Sequence, residues 1–583
     1  MAWKRSQVQI LYSPHMNFLR SIPKAPVFLT LLFTAFIAAI KYPFDFFWSA
    51  YDANYHAVHS QSYFENFEIT YPAFTYLSQY PADLWYLYHL LIGALYFGGN
   101  NFFALTADQA LMTAHIIFAA FLCGVIFWFL NTLFKFMHSE IKTLAPAWYG
   151  ILLLAFSLGF PMFTFRMFFV ERPHVLMVAL TLIAFISVIR KQYFWLFTVS
   201  ILAPLSYSFS LFIFLPLVTV IIGWLITVKK LKSCTEIDKT IFSTIAGFSI
   251  GVVLHPNSVG YLINGLGFHS FAIAQSMLWM WPTQVSKLII PEEMQLLQIE
   301  LPIFYSLLGA GLLLALDIYR RRVKEGKDVK EGETYRAAVF TGMIVMSLLL
   351  LFASLFVSRA MEYALPLALV TFLTTIPFIG SEIKTLSENV VNNANSKIGK
   401  FFRWARNLGT FLLVKLWFRM ILVLVFVFVV SGSIRYGYLP VAEEVRSSSV
   451  DYSQAALYLQ ENTTKDEVVL QANFFTYPQL LKTSPELNYS IGMDARMIYF
   501  YDPKLSYLYN SVFRSGECYK ECPYTPEEGL RELRSRYEIN YVVFDTEFME
   551  EQMYEFFEDT NRFELVFSNS SDDRIRIYKI LQL

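Results

Sequence analysis

Charge is what this sequence has least of. Only 16% of its 583 residues are Asp, Glu, Lys or Arg, against about a quarter in a soluble domain. With 56% hydrophobic and 18% aromatic residues and a mean hydropathy of +0.44, that shortfall excludes a soluble globular protein and also a disordered one. Four cysteines exclude a disulfide scaffold. The chain has no H-E-x-x-H pair and no internal repeat, and residues 440–583 have no Gly-rich phosphate loop and no G-x-S-x-G elbow. Zinc-protease and solenoid readings therefore fall away, as do P-loop and hydrolase readings of the C-terminal part.

What charge there is lies unevenly. The formal net charge is zero, but residues 440–583 hold 14 basic and 25 acidic residues, a net of −11, and residues 1–439 hold the opposite +11. The chain is a basic, apolar body with an acidic, polar tail. The few positive charges fall between apolar runs, which does not suit nucleic-acid binding. Cys518 and Cys522 form a Cys-x-x-x-Cys pair in the tail, where a local disulfide is compatible with an oxidising compartment.

A membrane-spanning helix needs about 20 mostly apolar residues. By that test about eleven runs qualify, near 25–42, 110–134, 146–164, 174–190, 193–206, 207–227, 240–256, 301–318, 337–357, 360–380 and 416–433. Residues 1–15 (MAWKRSQVQILYSPH) read as a leader outside the fold, with Met16 as the expected start. The run at 84–99, rich in Trp and Tyr, reads as an interfacial helix. Lys/Arg clusters at 190–191, 229–232, 320–327 and 397–406 all face the cytoplasm if the eleven spans alternate. The N-terminus is then inside and the tail outside, with external segments near 43–108, 165–173 and 256–300. Residues 382–415 read as a cytoplasmic surface helix, and the aromatic stretch 269–294 as an external flap.

The tail changes pattern. VVL (468–470) and YVVFD (541–545) read as buried strands, RIRIYKI (574–580) as a half-buried one, and Thr525-Pro526-Glu527-Glu528 as a capped helix start. The expected fold class is a polytopic all-α membrane protein with a C-terminal extracytoplasmic α/β domain, divided as leader 1–24, membrane domain 25–436 and soluble domain 437–583.

Ionisable residues at the external mouths of spans are costly and mark candidate sites. Asp52 lies about ten residues beyond the first run, with His56 one helical turn later. Glu171 and Arg172 precede Pro173-His174. His255 precedes Pro256-Asn257. Arg359 and Glu362 lie at the outer end of the 360–380 run. Each has a plainer reading: Asp52 as a loop carboxylate, Glu171 as a helix-start carboxylate favoured by the dipole, His255 as part of a helix stop, and Arg359–Glu362 as an internal ion pair.

In order, the chain shows a first span, a long external loop with Asp52 and His56 near its start, TYPAFTYLSQYPADLWYLYHLL (70–91), and a short second loop with Glu171 beside Arg172-Pro173. This resembles the C-type membrane glycosyltransferases, which include protein mannosyltransferases, aminoarabinose transferases and oligosaccharyltransferases. The Asp52-x-x-x-His56 spacing is similar to the first-loop motif of oligosaccharyltransferase-like members, and NYSIGMDARMIYFYDP (488–503) looks like the tail domains of other prokaryotic members. The chain lacks the W-W-D-Y-G motif and a first-loop Asp-Glu pair, which argues against peptide N-glycosylation and leaves the acceptor class open.

The resemblance implies transfer of a sugar, with inversion, from a polyprenyl-phosphate donor to an acceptor hydroxyl at the outer face of the cytoplasmic membrane. The acceptor is a glycan, lipid or protein. A hydroxyl needs a base, and Asp52 is assigned that role. Glu171 is the second-loop acid, orienting the acceptor or holding a divalent cation. Arg359 and Arg172, with His255, serve the lipid phosphate, and His56 and Glu362 take secondary or acceptor roles. Competing readings are a lipid-linked-saccharide transporter or flippase, and a non-enzymatic anchor for the tail. The absence of a repeat and the one-sided placement of charge disfavour the transporter.

Overall fold

In a computed structural model, the structure describes residues 24–41, 50–65, 83–138, 144–156, 160–228, 235–269, 305–325, 331–354, 360–392, 451–464, 466–472, 476–490, 502–513, 522–546, 555–569 and 574–582. All but the first residue of the 269–294 flap, the 416–433 run and most of the 382–415 helix lie outside them.

Helix α1 spans Lys24–Lys41, α2 Ala50–Glu65, α3 Tyr86–Phe103 and α4 Ala107–Met137. Helix α4 starts where its sequence says it should. The Thr106 hydroxyl accepts from the Gln109 amide at 3.2 Å, the Gln109 side chain accepts from the Thr106 amide at 3.1 Å, and Asp108 sits in the first turn and Lys135 in the last. Next come α5 (Pro146–Leu154), α6 (Pro161–Phe168), α7 (His174–Ile189), α8 (Tyr193–Ser206), a 3₁₀ turn (Ser210–Phe214), α9 (Leu215–Val228) and α10 (Thr235–Leu254). Then follow α11 (Ser306–Glu325), α12 (Glu331–Ser354) and α13 (Met361–Asn392).

Among the described residues, five helices are long and apolar enough to cross a membrane: Ala107–Met137, Ser210–Val228, Thr235–Leu254, Thr334–Ser354 and Met361–Ile379. Pro26–Ala39, His174–Ile189 and Tyr193–Ser206 are shorter apolar helices. The expected count of about eleven is therefore not reached among these residues. Within the run at 146–164 the described helices are α5, Pro146–Leu154, and α6, which starts at Pro161, a residue that suits a first turn. Helix α11 carries Arg320, Arg321 and Arg322 within its length, which shortens its apolar part. The break inside 193–227 falls at Tyr207–Phe209, and Pro204 stays inside α8.

Helices α9 and α12 cross backbone to backbone. A Cβ on Gly223 would lie 1.8 Å from the Ala338 carbonyl oxygen, and one on Gly342 would lie 2.0 Å from that of Thr219. Only glycine at both positions permits this approach.

The C-terminal part contains helices α14 (Ser453–Asn462), α15 (Tyr477–Thr483), α16 (Pro503–Val512) and α17 (Pro526–Arg536). Its five strands are β1 (Val468–Gln471), β2 (Asn488–Tyr489), β3 (Tyr541–Asp545), β4 (Phe563–Ser568) and β5 (Ile575–Ile580), in the order β2-β1-β3-β5-β4. Strand β1 runs parallel to β2 and β3, and β5 runs antiparallel to β3 and β4. Both sheet faces are covered, which is why 468–470 and 541–545 read as unbroken apolar runs. Val468, Leu470, Val542 and Phe544 face α16 and α17. Val469, Val543 and Ile577 face a core continuous with the helical bundle. The expected cap of α17 is present, with the Thr525 hydroxyl accepting from the Glu528 amide and the Glu528 carboxylate accepting from Thr525. Cys522 is disulfide-bonded, and Cys518 lies outside the described residues.

Candidate active site

Helix α2 carries Tyr55, His56, His59 and Tyr63 on one buried face, following the i, i+4, i+7 spacing of a helix. Helix α3 lies against it because Gly93 has no side chain. A Cβ there would meet the Ser60 carbonyl oxygen at 2.4 Å. Just before α3, the Asp83 carboxylate accepts from the Trp85 amide at 2.9 Å and so sets the chain's entry into the helix. His89 lies one turn in.

These residues form one hydrogen-bonded chain. Asp83 Oδ2 accepts from the Tyr63 hydroxyl and lies 2.7 Å from His89 Nδ1. His89 Nε2 lies 2.7 Å from His56 Nδ1. His255 joins from the end of α10, with Nε2 2.9 Å from the Asp83 carbonyl oxygen and its ring stacked on Tyr261 at 4.6 Å. Asp83, His56 and His89 are all buried.

The loop from Phe169 to Pro173 lies beside this chain. The Glu171 carboxylate meets the Lys41 ammonium at the end of α1, and both side chains are fully buried. Arg166 on α6 binds Glu362 at the start of α13 through Nε at 3.1 Å and Nη2 at 2.9 Å. His174 Nε2 lies 3.9 Å from the same carboxylate oxygen. Arg172 and His174 are close enough to act electrostatically on His56.

Burial depresses His56 most, and the neighbouring positive charge of His89, His59, Arg172 and His174 adds to it, so the ring is held well below the usual imidazole range. His59 is pushed down to about 3, chiefly by burial, and among the described residues neither of its ring nitrogens has a partner. Burial also lowers His255, with Asp83 opposing. For Asp83, burial would raise the carboxyl. The charge of His89 and hydrogen bonds from His89, Tyr63 and the Trp85 amide outweigh it and hold Asp83 below the usual range. It is an acceptor-only carboxylate.

The sequence-derived residues scatter over this geometry. His56 and His255 converge on Asp83, and Arg172 acts on His56. Asp52 falls in the first turn of α2, one turn before His56; its side chain lies outside what the structure describes, as does Arg359. Glu362 pairs with Arg166; the reading of an internal Arg359–Glu362 pair falls on a residue outside the described ones. Glu171 was read as a holder of acceptor or cation, and its partner is Lys41. A lysine ammonium takes the place a metal would need, and among the described residues no three His, Cys, Asp or Glu converge as metal ligands. The described residues do not fit a resident divalent cation.

Sequence reasoning passed over Asp83, His89, Lys41, Tyr63 and Arg166. The signals were available: Asp83 follows Pro81-Ala82 at a helix start, Lys41 closes the first apolar run, and Arg166 lies two residues beyond the third. Ionisable residues in such places are functional candidates by default.

No protein-family model matches the chain, and no curated protein matches it. Solved structures do. The apo oligosaccharyltransferase of Archaeoglobus fulgidus aligns with a TM-score of 0.49 and 11% identity, over 90% of this chain and 70% of that one. The oligosaccharyltransferase AglB of the same organism, in complex with an inhibitory peptide and a dolichol-phosphate, aligns at 0.46 and 11%, over 86% and 66%. A form tethered to an acceptor peptide containing the NVT sequon aligns at 0.46 and 11%, over 90% and 70%.

Proposed function

We propose that the protein is a membrane glycosyltransferase that moves a sugar from a polyprenyl-phosphate donor to an acceptor hydroxyl, with inversion. The observation that carries this reading is that Arg172 and His174, beside Glu171, lie close enough to act on His56 of α2, the helix that also bears Asp52. These are the two loops on which the sequence resemblance rests. In this reading residues 25–436 form the transferase, 437–583 an extracytoplasmic domain, and the site opens on the outer face of the cytoplasmic membrane. Asp52 is the general base. Arg172 and Arg359 stabilise the charge that develops on the departing phosphate. Polyprenyl phosphate leaves readily, so no general acid is required. Glu171, paired with Lys41, holds the second loop in place, and the buried Arg166–Glu362 pair fixes the start of α13 behind it.

The test uses purified protein, wild type and Asp52→Asn, with a panel of radiolabelled polyprenyl-phosphate sugars and membrane extract as acceptor. Sugar release by wild type, reduced at least about 100-fold in the variant, supports the reading. Equal activity removes Asp52 from the role of base. A wild type that binds the lipid-linked sugar without releasing it points to a transporter, and one that does neither points to an anchor.

A further inference from the structure

The end of the bundle opposite the candidate active site carries charge of its own. Helix α7 begins at His174, beside Glu362, and ends at Ile189. Helix α12 runs the other way, toward Glu362 at the start of α13, so its first turns also lie at the far end. There the Tyr335 hydroxyl of α12 donates to the Val188 carbonyl oxygen of α7 at 3.0 Å, which ties the two helices together.

Two arginines lie over rings of α4 at this end. Arg190, which follows α7, has its guanidinium carbon 6.0 Å from the centre of the Trp128 ring. Arg336, on α12, has its own 5.7 Å from that of Phe136. Arg190 has an ordinary reason to be there, because it caps the C-terminus of α7, where the helix dipole favours a cation. Arg336 has no such reason, since it lies near the start of α12. Among the described residues it makes no ion pair, and its Nε is shielded from solvent without an acceptor. A snorkelling arginine carries its head out to water, so snorkelling does not account for that nitrogen. A shielded donor is costly until something accepts from it.

The surroundings supply little negative charge. Lys135 on α4 is exposed, and Lys239 on α10 lies over the Tyr193 ring at 5.7 Å. Of the acids at the start of α10, Glu236 is taken by Lys191 at 2.6 Å, which leaves Asp238.

We propose that Arg190 and Arg336 form a headgroup site for an anionic phospholipid in the leaflet opposite the active site. A guanidinium over a ring donates through the N–H groups in its own plane, and that fork matches a phosphate. Both arginines lie at the ends of apolar helices, at headgroup depth, and basic pockets between spanning helices are where anionic headgroups bind. In the orientation read from the Lys/Arg clusters this is the cytoplasmic leaflet. A phosphate shared by the two arginines bridges α7 and α12 beside α4, so the lipid stabilises the bundle and takes no part in sugar transfer.

The test measures lipid retention, by native mass spectrometry, and thermal melting of the full-length protein in detergent with added phosphatidylglycerol, phosphatidylcholine or inorganic phosphate. The variants are Arg190→Gln, Arg336→Gln, Arg336→Lys and Arg320→Gln. Arg320 is an exposed cation on α11 at the same end, so its loss removes equal charge from the same face. Wild type should retain phosphatidylglycerol and melt higher with it, and with neither of the other two. Arg190→Gln and Arg336→Gln should each weaken retention at least about tenfold. Arg336→Lys, which keeps the charge and loses the fork, should weaken it by a smaller factor, and Arg320→Gln should leave it unchanged. Equal weakening in all four variants means diffuse attraction and overturns the site, as does wild-type retention in Arg336→Lys. No preference for phosphatidylglycerol over phosphatidylcholine overturns it too. Equal stabilisation by inorganic phosphate makes a free anion the ligand and overturns the lipid. Should a Gln variant fail to fold, Arg336→Lys against Arg320→Gln decides.

Discussion

His56 Nδ1 lies 2.7 Å from His89 Nε2, across 33 residues of sequence and two separate helices. Neither ring could hold this position alone. Gly93 brings the helix backbones together, Asp83 orients His89, and Tyr63 reaches back from α2 to the same carboxylate. The contact tests several aspects of the structure at once.

Gly93→Ala should separate these helices. The added methyl meets the Ser60 carbonyl oxygen at 2.4 Å and the Phe64 ring at 2.6 Å, an overpacking that costs about 1–3 kcal/mol. Gly98→Ala, five residues along the same helix, has nothing within 4 Å of its new Cβ and should gain up to about 1 kcal/mol from helix propensity. Opposite shifts in melting temperature, with sugar transfer reduced only in Gly93→Ala, are the expected result.

The Lys41–Glu171 pair is fully buried on both sides. Removing one partner strands the other charge, so Lys41→Met or Glu171→Gln should each destabilise by about 3–5 kcal/mol. The double variant Lys41→Met/Glu171→Leu should regain much of that loss, because no buried charge is left uncompensated. Added Mg²⁺ should not rescue Glu171→Gln. A double-mutant cycle on thermal unfolding measures the coupling.

Stability should fall on mild acidification. His56, His59 and His255 are all held below the usual imidazole value of about 6.5. Below that pH the unfolded chain binds protons that the folded protein refuses, so each such histidine removes up to about 1.4 kcal/mol per pH unit. The loss begins near pH 6.5 and for His59 continues to about 3. Melting curves from pH 7.5 to 5 should show the decline, and His59→Phe should flatten it.

The C-terminal part should be held to the bundle by burial and not by charge. Tyr477 on α15 is buried and its ring lies 6.3 Å from that of Tyr55 on α2. Lys482 and Asp108 bridge the same two regions at 2.6 Å, but both side chains are more than a third exposed. Exposed pairs contribute about 0–1 kcal/mol, whereas truncating a buried aromatic costs about 3–5 kcal/mol. Limited proteolysis should therefore release the tail faster in Tyr477→Ala and at the wild-type rate in Asp108→Asn.

Much of this molecule was written locally. The apolar runs marked the helices, because a spanning segment must satisfy its backbone within itself and cover itself with apolar side chains. Thr525-Pro526-Glu527-Glu528 set a helix start through contacts three residues apart, and the unbroken runs at 468–470 and 541–545 marked strands covered on both faces. Asp52, His56, Glu171, Arg172, His255 and Glu362 were legible as candidates because charge beside a membrane is expensive wherever it occurs. Their partners were not legible. Lys41 finds Glu171 over 130 residues and Arg166 finds Glu362 over 196, and no local pattern encodes such a pairing. The Asp83–His89–His56 chain depends on a two-helix crossing set by one glycine, and its two halves look unrelated in sequence. Sequence alone determined which residues must be buried and which of them carry charge. Tertiary structure decided which charge meets which, because ion pairs and hydrogen bonds act over a few ångströms of space and are indifferent to distance along the chain.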